Sequence, residues 1–182
     1  QQVLAALNQR RRSEGRPEFE IRIGVNSGDV VAGNIGSARR MDYTVIGDGV
    51  NLAARLESAC KQYSARILIS DTTKNKLRDT YRTREIDFVV VKGKTKPVGV
   101  FEVLDYYSND DFPNLPDVLE HFKTGLERYR KYEFDKAISS FEGALKLNSN
   151  DKLSHTYIER CRHLKKNHPG DDWDGVWTLT SK

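Results

Sequence analysis

MDYTVIGDGVNLAARLESAC, residues 41–60, reads as a short strand, a tight glycine-rich turn and then a helix. Tyr43, Val45 and Ile46 are β-prone. Gly47-Asp48-Gly49 breaks the strand, and Asp48 is placed to cap the helix that follows. Within that helix Ala53, Leu56 and Cys60 fall at i, i+3 and i+7, so they define a buried stripe, with Leu52 beside it. Asn51 and Arg55 are four apart and share another face. An amide and a guanidinium at the opening of a helix, just after a glycine turn, suit a polyanionic ligand.

Upstream, residues 1–14 read as the back half of a helix, with Val3, Leu4 and Leu7 on its apolar face and Arg10-Arg11-Arg12 as a solvated basic end. Gly15 and Pro17 end it. Residues 19–25 alternate apolar and polar, as a half-buried strand does. Ser27-Gly28 turns the chain, and residues 29–33 return as a second strand, which predicts a hairpin. No Lys-Ser or Lys-Thr pair follows Gly33, so Gly28 and Gly33 are not a phosphate loop.

Downstream, residues 65–70 form a short buried strand, and Asp71 is expected to cap a helix reaching about Leu77. Two longer strands follow at 82–91 and 98–104, joined by Lys92-Gly93-Lys94-Thr95-Lys96-Pro97. The order from Phe19 is ββ-β-α-β-α-ββ, an α+β architecture with helices on a mostly antiparallel sheet. Residues 107–116 are polar, with two prolines, and read as a linker.

The stretch around 41–60 resembles the signature of the class III nucleotide cyclases. That signature is a strand carrying a base-selecting residue, then Gly, then V-N-x-A-x-R-x-E-S. Here these are Thr44, Gly47, Val50-Asn51-Leu52-Ala53-Ala54-Arg55 and Leu56-Glu57-Ser58. Gly33-Asn34-Ile35-Gly36 is similar to the loop before that strand. The resemblance covers residues 1–106 and implies the C-terminal half of a ferredoxin-like cyclase domain, truncated at its N-terminus.

It also implies an activity, conversion of ATP to 3′,5′-cyclic AMP and pyrophosphate. Asn51 would orient the ribose. Arg55 would stabilise the pentacovalent transition state, where a planar fork suits the growing charge better than a lysine does. Thr44 would select adenine, since its hydroxyl can accept from the amino group, though it can also donate. Lys92 and Lys94 would reach the terminal phosphates. The family holds two Mg2+ or Mn2+ ions through two aspartates, which fall upstream of Gln1; Asp29, Asp42 and Asp48 do not match them. Its sites form between two such domains, so a homodimer is expected and this fragment alone is expected to be inactive. The alternatives are a guanylate cyclase, a non-catalytic cyclase-like partner, or an interaction module.

After the linker the period becomes helical. Gly125, Ala137, Phe141 and Ala144 fall at the small and aromatic positions of a tetratricopeptide repeat. Phe122, Leu126 and Tyr129 line one helix; Phe134, Ile138, Phe141 and Leu145 line the next. The repeat's usual Trp and Pro are replaced by His121 and Ser149. A further helix, with Leu153, Tyr157, Ile158 and Cys161 inward, would cover the open side, giving a TPR-like unit over 117–169 that could take a protein partner. Residues 170–182 are a tail in which Trp173 and Trp177 are expected to pack back.

Composition narrows the class. The chain has 182 residues, 37% hydrophobic and 31% charged, the balance of a globular protein. A net charge of +4 is too mild to argue for a nucleic-acid partner. No apolar run approaches the ~20 residues of a membrane span, and no signal peptide opens the chain. Cys60 and Cys161 imply a reducing compartment rather than a disulfide framework. A cytoplasmic setting is expected, with any membrane tether lying in upstream segments.

Overall fold

The computed structural model describes residues 1–37, 40–89, 97–170, 173 and 175. In chain order the elements are α1 (Gln2–Ser13), β1 (Ile23–Val25), β2 (Val31–Ser37), β3 (Arg40–Ile46), α2 (Asp48–Tyr63) and β4 (Ile67–Ser70). They continue with α3 (Asp71–Lys74), β5 (Thr83–Val89), β6 (Val98–Val103), α4 (Leu115–Arg130), α5 (Phe134–Leu147) and α6 (Lys152–Lys166). A four-stranded sheet runs β1-β4-β6-β5, and β2 and β3 form a separate ribbon. The β1–β4 pair is parallel, while β4–β6 and β5–β6 are antiparallel. The expected α+β class and element order are therefore present.

The hairpin expected between 19–25 and 29–33 does not form. Only Ile23–Val25 is strand, and it pairs with β4, Ile23 opposite Ile67. β2 pairs instead with β3, Val31 opposite Ile46 and Ser37 opposite Arg40. Local alternation identifies an extended segment but not its partner, and a parallel pair needs a long crossover. The alternating residues before β1 are held by α1. The Asn8 amide donates to the Phe19 carbonyl at 2.8 Å and accepts from the Phe19 N–H at 2.9 Å. That satisfies the Phe19 backbone without a ladder, and the Arg11 guanidinium lies 4.0 Å from the Phe19 ring centroid.

α2 buries Leu52, Leu56, Ala59, Cys60 and Tyr63, so its stripe is rotated slightly from the one read through Ala53. The helix lies directly on β1. A Cβ at Gly24 would stand 2.2 Å from the Ala53 carbonyl oxygen and 2.3 Å from the Glu57 nitrogen. Asp48 is not its cap: Gly47 is the N-cap, and Asp48 is in the first turn, where its charge favours the helix N-terminus without a side-chain cap bond. Asp71 does not cap α3 either. Ser70 does, its Oγ accepting from the Thr73 N–H at 3.2 Å, and α3 stops at Lys74. Asp71 instead accepts from the Gly99 N–H on β6 at 3.2 Å.

α4, α5 and α6 pack on one another, and α4 and α6 reach β5. Gly125 lies against the Phe141 ring, where a Cβ would stand 2.6 Å from it. Phe122, Tyr129, Phe141 and Tyr157 are fully buried and belong to the same core as Leu56 and Leu68. α4 begins at Leu115, inside the polar stretch 107–116, and Phe112 and Leu115 are buried with Leu104, Val118 and Ala144. Trp173 packs back, its ring 5.1 Å from Tyr129 and 5.2 Å from Tyr132; Trp177 lies outside the described residues.

Charge crosses the contact between sheet and helices. Arg84 of β5 donates to Glu102 of β6 at 2.7 Å and to Asp151, just before α6, at 2.8 Å, all three being buried. Burial works against the Arg84 charge, but the two carboxylates outweigh it and hold the guanidinium protonated. Removing one member of such a group strands the others in low dielectric. Arg84→Met is expected to cost about 3 kcal/mol of stability, read from urea unfolding curves. A loss below about 1 kcal/mol would mean that the two carboxylates find other partners.

Candidate nucleotide site at the β3–α2 junction

The β3–α2 junction is set by Gly47, whose φ of 145° lies where side chains rarely go. The N–H groups of Val50 and Asn51 return to the Gly47 carbonyl at 3.1 and 3.2 Å, closing the first turn of α2. Asn51 and Arg55 follow on consecutive turns and are both exposed, on a face that flanks the buried stripe through Leu52 and Leu56. Thr44 is exposed on β3 opposite Gly33 of β2, three positions before Gly47. Thr44 on β3 and Asn51 and Arg55 on α2 are thus exposed on the two elements that flank the Gly47 turn.

Asn26 holds that junction in place. Its Nδ2 donates to the Gly49 carbonyl at 3.1 Å. Its Oδ1 accepts from the Ser70 hydroxyl at 2.7 Å and the Thr72 hydroxyl at 3.0 Å. One amide therefore ties the end of β1 to the starts of α2 and α3. An Asn between a strand and Ser27-Gly28 reads locally as turn chemistry, so nothing in the sequence marks the second and third anchors.

The surface beside the site is open and apolar. Val31, Met41, Tyr43, Val45 and Ile46 on the β2–β3 ribbon are all exposed, Tyr43 at 76% and Val31 at 65%. A ribbon with this much uncovered apolar surface is the kind of face that meets another protein surface. At the other end of α2, Tyr63 is buried and its hydroxyl donates to Asp87 at 2.6 Å. Burial, then the Asp87 charge, pushes that phenol well above its ordinary range. Cys60 is pushed up by burial, and Cys161 likewise to about 12, so neither is a thiolate nucleophile at neutral pH.

Lys92 and Lys94, expected to contact phosphate, lie outside the described residues. Among the described residues no group of three His, Cys, Asp or Glu side chains is placed to hold a metal ion. Asp29 and Asp48 line one small cleft with Asp71, but they do not form such a group. The described residues therefore do not fit a two-ion cradle. Among the described residues no helix is long and apolar enough to cross a membrane.

The fold is α+β, and an exposed Asn and Arg stand on the helix that follows a glycine-broken strand, as in the cyclase signature read in the sequence. Residues 2–103 match the family described as the adenylate and guanylate cyclase catalytic domain, and the chain belongs to that family. It is 35% identical over 145 residues to the terminal-differentiation specific adenylate cyclase of Dictyostelium discoideum, covering 78% of this chain and 7% of that protein. It is 39% identical over 110 residues to an adenylate cyclase of Anabaena cylindrica, covering 57% of this chain and 22% of that one. The crystal structure of the adenylyl cyclase CyaB from P. aeruginosa superposes with a TM-score of 0.50 at 39% identity, covering 61% of this chain and 55% of that one. The chain thus spans a small part of these curated relatives and about half of that solved chain.

Proposed function

We propose that this chain supplies the ribose-, transition-state- and phosphate-contacting side of an adenylate cyclase site, within a protein that converts ATP to 3′,5′-cyclic AMP and pyrophosphate. The observation that carries the reading is Asn51 and Arg55, exposed on successive turns of α2 and aimed away from the core. The 3′-oxygen attacks the α-phosphorus and pyrophosphate leaves, so most of the acceleration comes from positioning and charge stabilisation. Asn51 orients the ribose. Arg55 presents two parallel donors to the non-bridging oxygens as their charge grows. Lys92 and Lys94 neutralise the terminal phosphates as point charges.

Other residues of the intact protein bring the metal-binding carboxylates, with Mg2+ or Mn2+. A second cyclase domain, most simply another copy, covers the apolar β2–β3 ribbon and closes the site. The exposed Tyr43, Val45 and Val31 support that assembly.

Curated relatives that are 35–39% identical are adenylate cyclases, which favours ATP over GTP. Thr44 on β3 is the residue assigned to that choice. The test is competition between ATP and GTP on the intact protein, repeated with Thr44→Ala. ATP is expected to win in the unsubstituted protein, and Thr44→Ala to narrow the preference by about tenfold, the scale of one lost hydrogen bond to a base. High turnover of GTP alone would replace the reading with a guanylate cyclase. An unchanged preference in Thr44→Ala would move base selection elsewhere.

α4 and α5, with Gly125 seated against Phe141, form a TPR-like hairpin in this reading. The apolar faces of α4–α6 are buried on one another and on the sheet, which supports a role within the chain over capture of a separate protein. The Dictyostelium alignment runs longer than the segment 2–103, so part of the helical region accompanies the cyclase domain in that relative.

A further inference from the structure

Asp87 of β5 is the meeting point of three elements and is 2% exposed. Its Oδ2 accepts from the Tyr63 hydroxyl, at the last residue of α2, at 2.6 Å. The same oxygen accepts from Arg160 of α6 at 2.7 Å. Its Oδ1 accepts from the N–H of Phe88 at 2.8 Å.

The strand around it is gripped from the same side. Arg130 of α4 pairs with Glu85 at 2.7 Å, and its guanidinium lies 4.3 Å from the Phe88 ring centroid. The Tyr157 hydroxyl of α6 donates to the Ile86 carbonyl. The β5–β6 register is irregular between Glu85 and Asp87, so this strand is bent where the helices hold it. β5 ends at Val89, a few residues before Lys92 and Lys94 in the sequence. α2 carries Asn51 and Arg55. Asp87 therefore joins the helix that bears the transition-state arginine to the strand that leads to the phosphate lysines.

We propose that the C-terminal helices α4–α6 are a positioning element for the nucleotide site, acting through Asp87, Tyr63 and Arg160 to hold the end of α2 in place on the sheet. The inference rests on the adenylate cyclase reading above. α2 is a 16-residue rod whose middle lies on Gly24, so releasing its last turn lets it roll about its own axis on that contact, which swings the long side chain of Arg55. The movement reaches Arg55, whose contact tightens only as charge develops on the phosphate. Such misplacement is felt in kcat before it is felt in KM. Tyr63 and Asp87 touch no substrate and are positioning residues.

Tyr63→Phe tests this in the intact dimeric protein, because it removes one hydroxyl and keeps the ring in the core. kcat is expected to fall about tenfold, with KM for ATP held within about twofold. The same change made on Arg55→Ala is expected to do almost nothing more, since the residue through which Tyr63 acts is gone. Unchanged kcat in Tyr63→Phe overturns the proposal. So does an equal fall in both backgrounds, which is what a loss of folded protein alone would produce. Either result with a damaging Arg55→Ala leaves the cyclase reading standing. A harmless Arg55→Ala, or an unsubstituted protein that forms no cyclic nucleotide, overturns that reading and this one together.

Discussion

Arg55→Ala in the intact protein is expected, on the proposed adenylate cyclase reading, to lower kcat for cyclic AMP formation by about a hundredfold to a thousandfold, with KM for ATP moving by less than about threefold. The asymmetry follows from when the guanidinium does its work. In the ground state the α-phosphate oxygens carry charge that water and cations can share. At the pentacovalent point that charge concentrates, and a donor fork already aimed at it stabilises that point more than the substrate. Arg55 is exposed on α2, so its removal leaves no cavity and strands no buried partner. Thermal unfolding should stay within about 2 °C of the unsubstituted protein. Initial rates over a range of ATP concentrations separate the two constants. A rise in KM with kcat intact would mean that Arg55 only binds ATP, and a large drop in Tm would mean that it holds the fold.

Gly24→Ala is expected to have the largest effect on folding of any change in the cyclase core. The added methyl would sit 2.2 Å from the Ala53 carbonyl oxygen and 2.3 Å from the Glu57 nitrogen. Both are main-chain atoms of α2 and cannot swing aside as a side chain can. The strand and helix would have to separate, which would loosen Leu52, Leu56 and Cys60 from the sheet. The expected loss is at least about 5 kcal/mol, at the extreme for a single substitution. Urea unfolding monitored by Trp fluorescence and far-UV circular dichroism gives the number. Gly33→Ala, at an open position of β2 where a Cβ meets nothing within 4 Å, is the matched control and should be nearly silent. A folded Gly24→Ala protein of near-normal stability would mean that α2 can ride farther from β1 than the structure places it.

These two residues also divide what could be read locally from what could not. Asn51 and Arg55 stand together because four residues make about one helical turn, so their pairing is a property of spacing alone. Their exposure follows from the apolar stripe lying about a quarter-turn or more away around the helix. Gly24, by contrast, is an ordinary strand residue until a helix arrives against it from thirty residues downstream. Asn26 reads as turn chemistry until the starts of two helices are found on its amide. The expected 19–33 hairpin failed for the same reason: two extended segments close in sequence each found a better partner elsewhere, β1 on β4 and β2 on β3. The C-terminal helices were visible as helices, with Phe122, Tyr129, Phe141 and Tyr157 inward, but not as part of the same core as Leu56 and Leu68.

By itself, then, the sequence determined the α+β element order, the strand–glycine–helix signature and the residues that face solvent at its start. These depend on periodicity and turn chemistry, which act over a few residues. Only the tertiary structure decided that β1 runs parallel to β4, that α2 lies directly on Gly24, and that Asp87 ties Tyr63 to Arg160. Those facts depend on which surfaces meet. An apolar stripe or a lone carboxylate shows that something must cover or pair it, while the identity of the partner is settled by the packing of the whole chain.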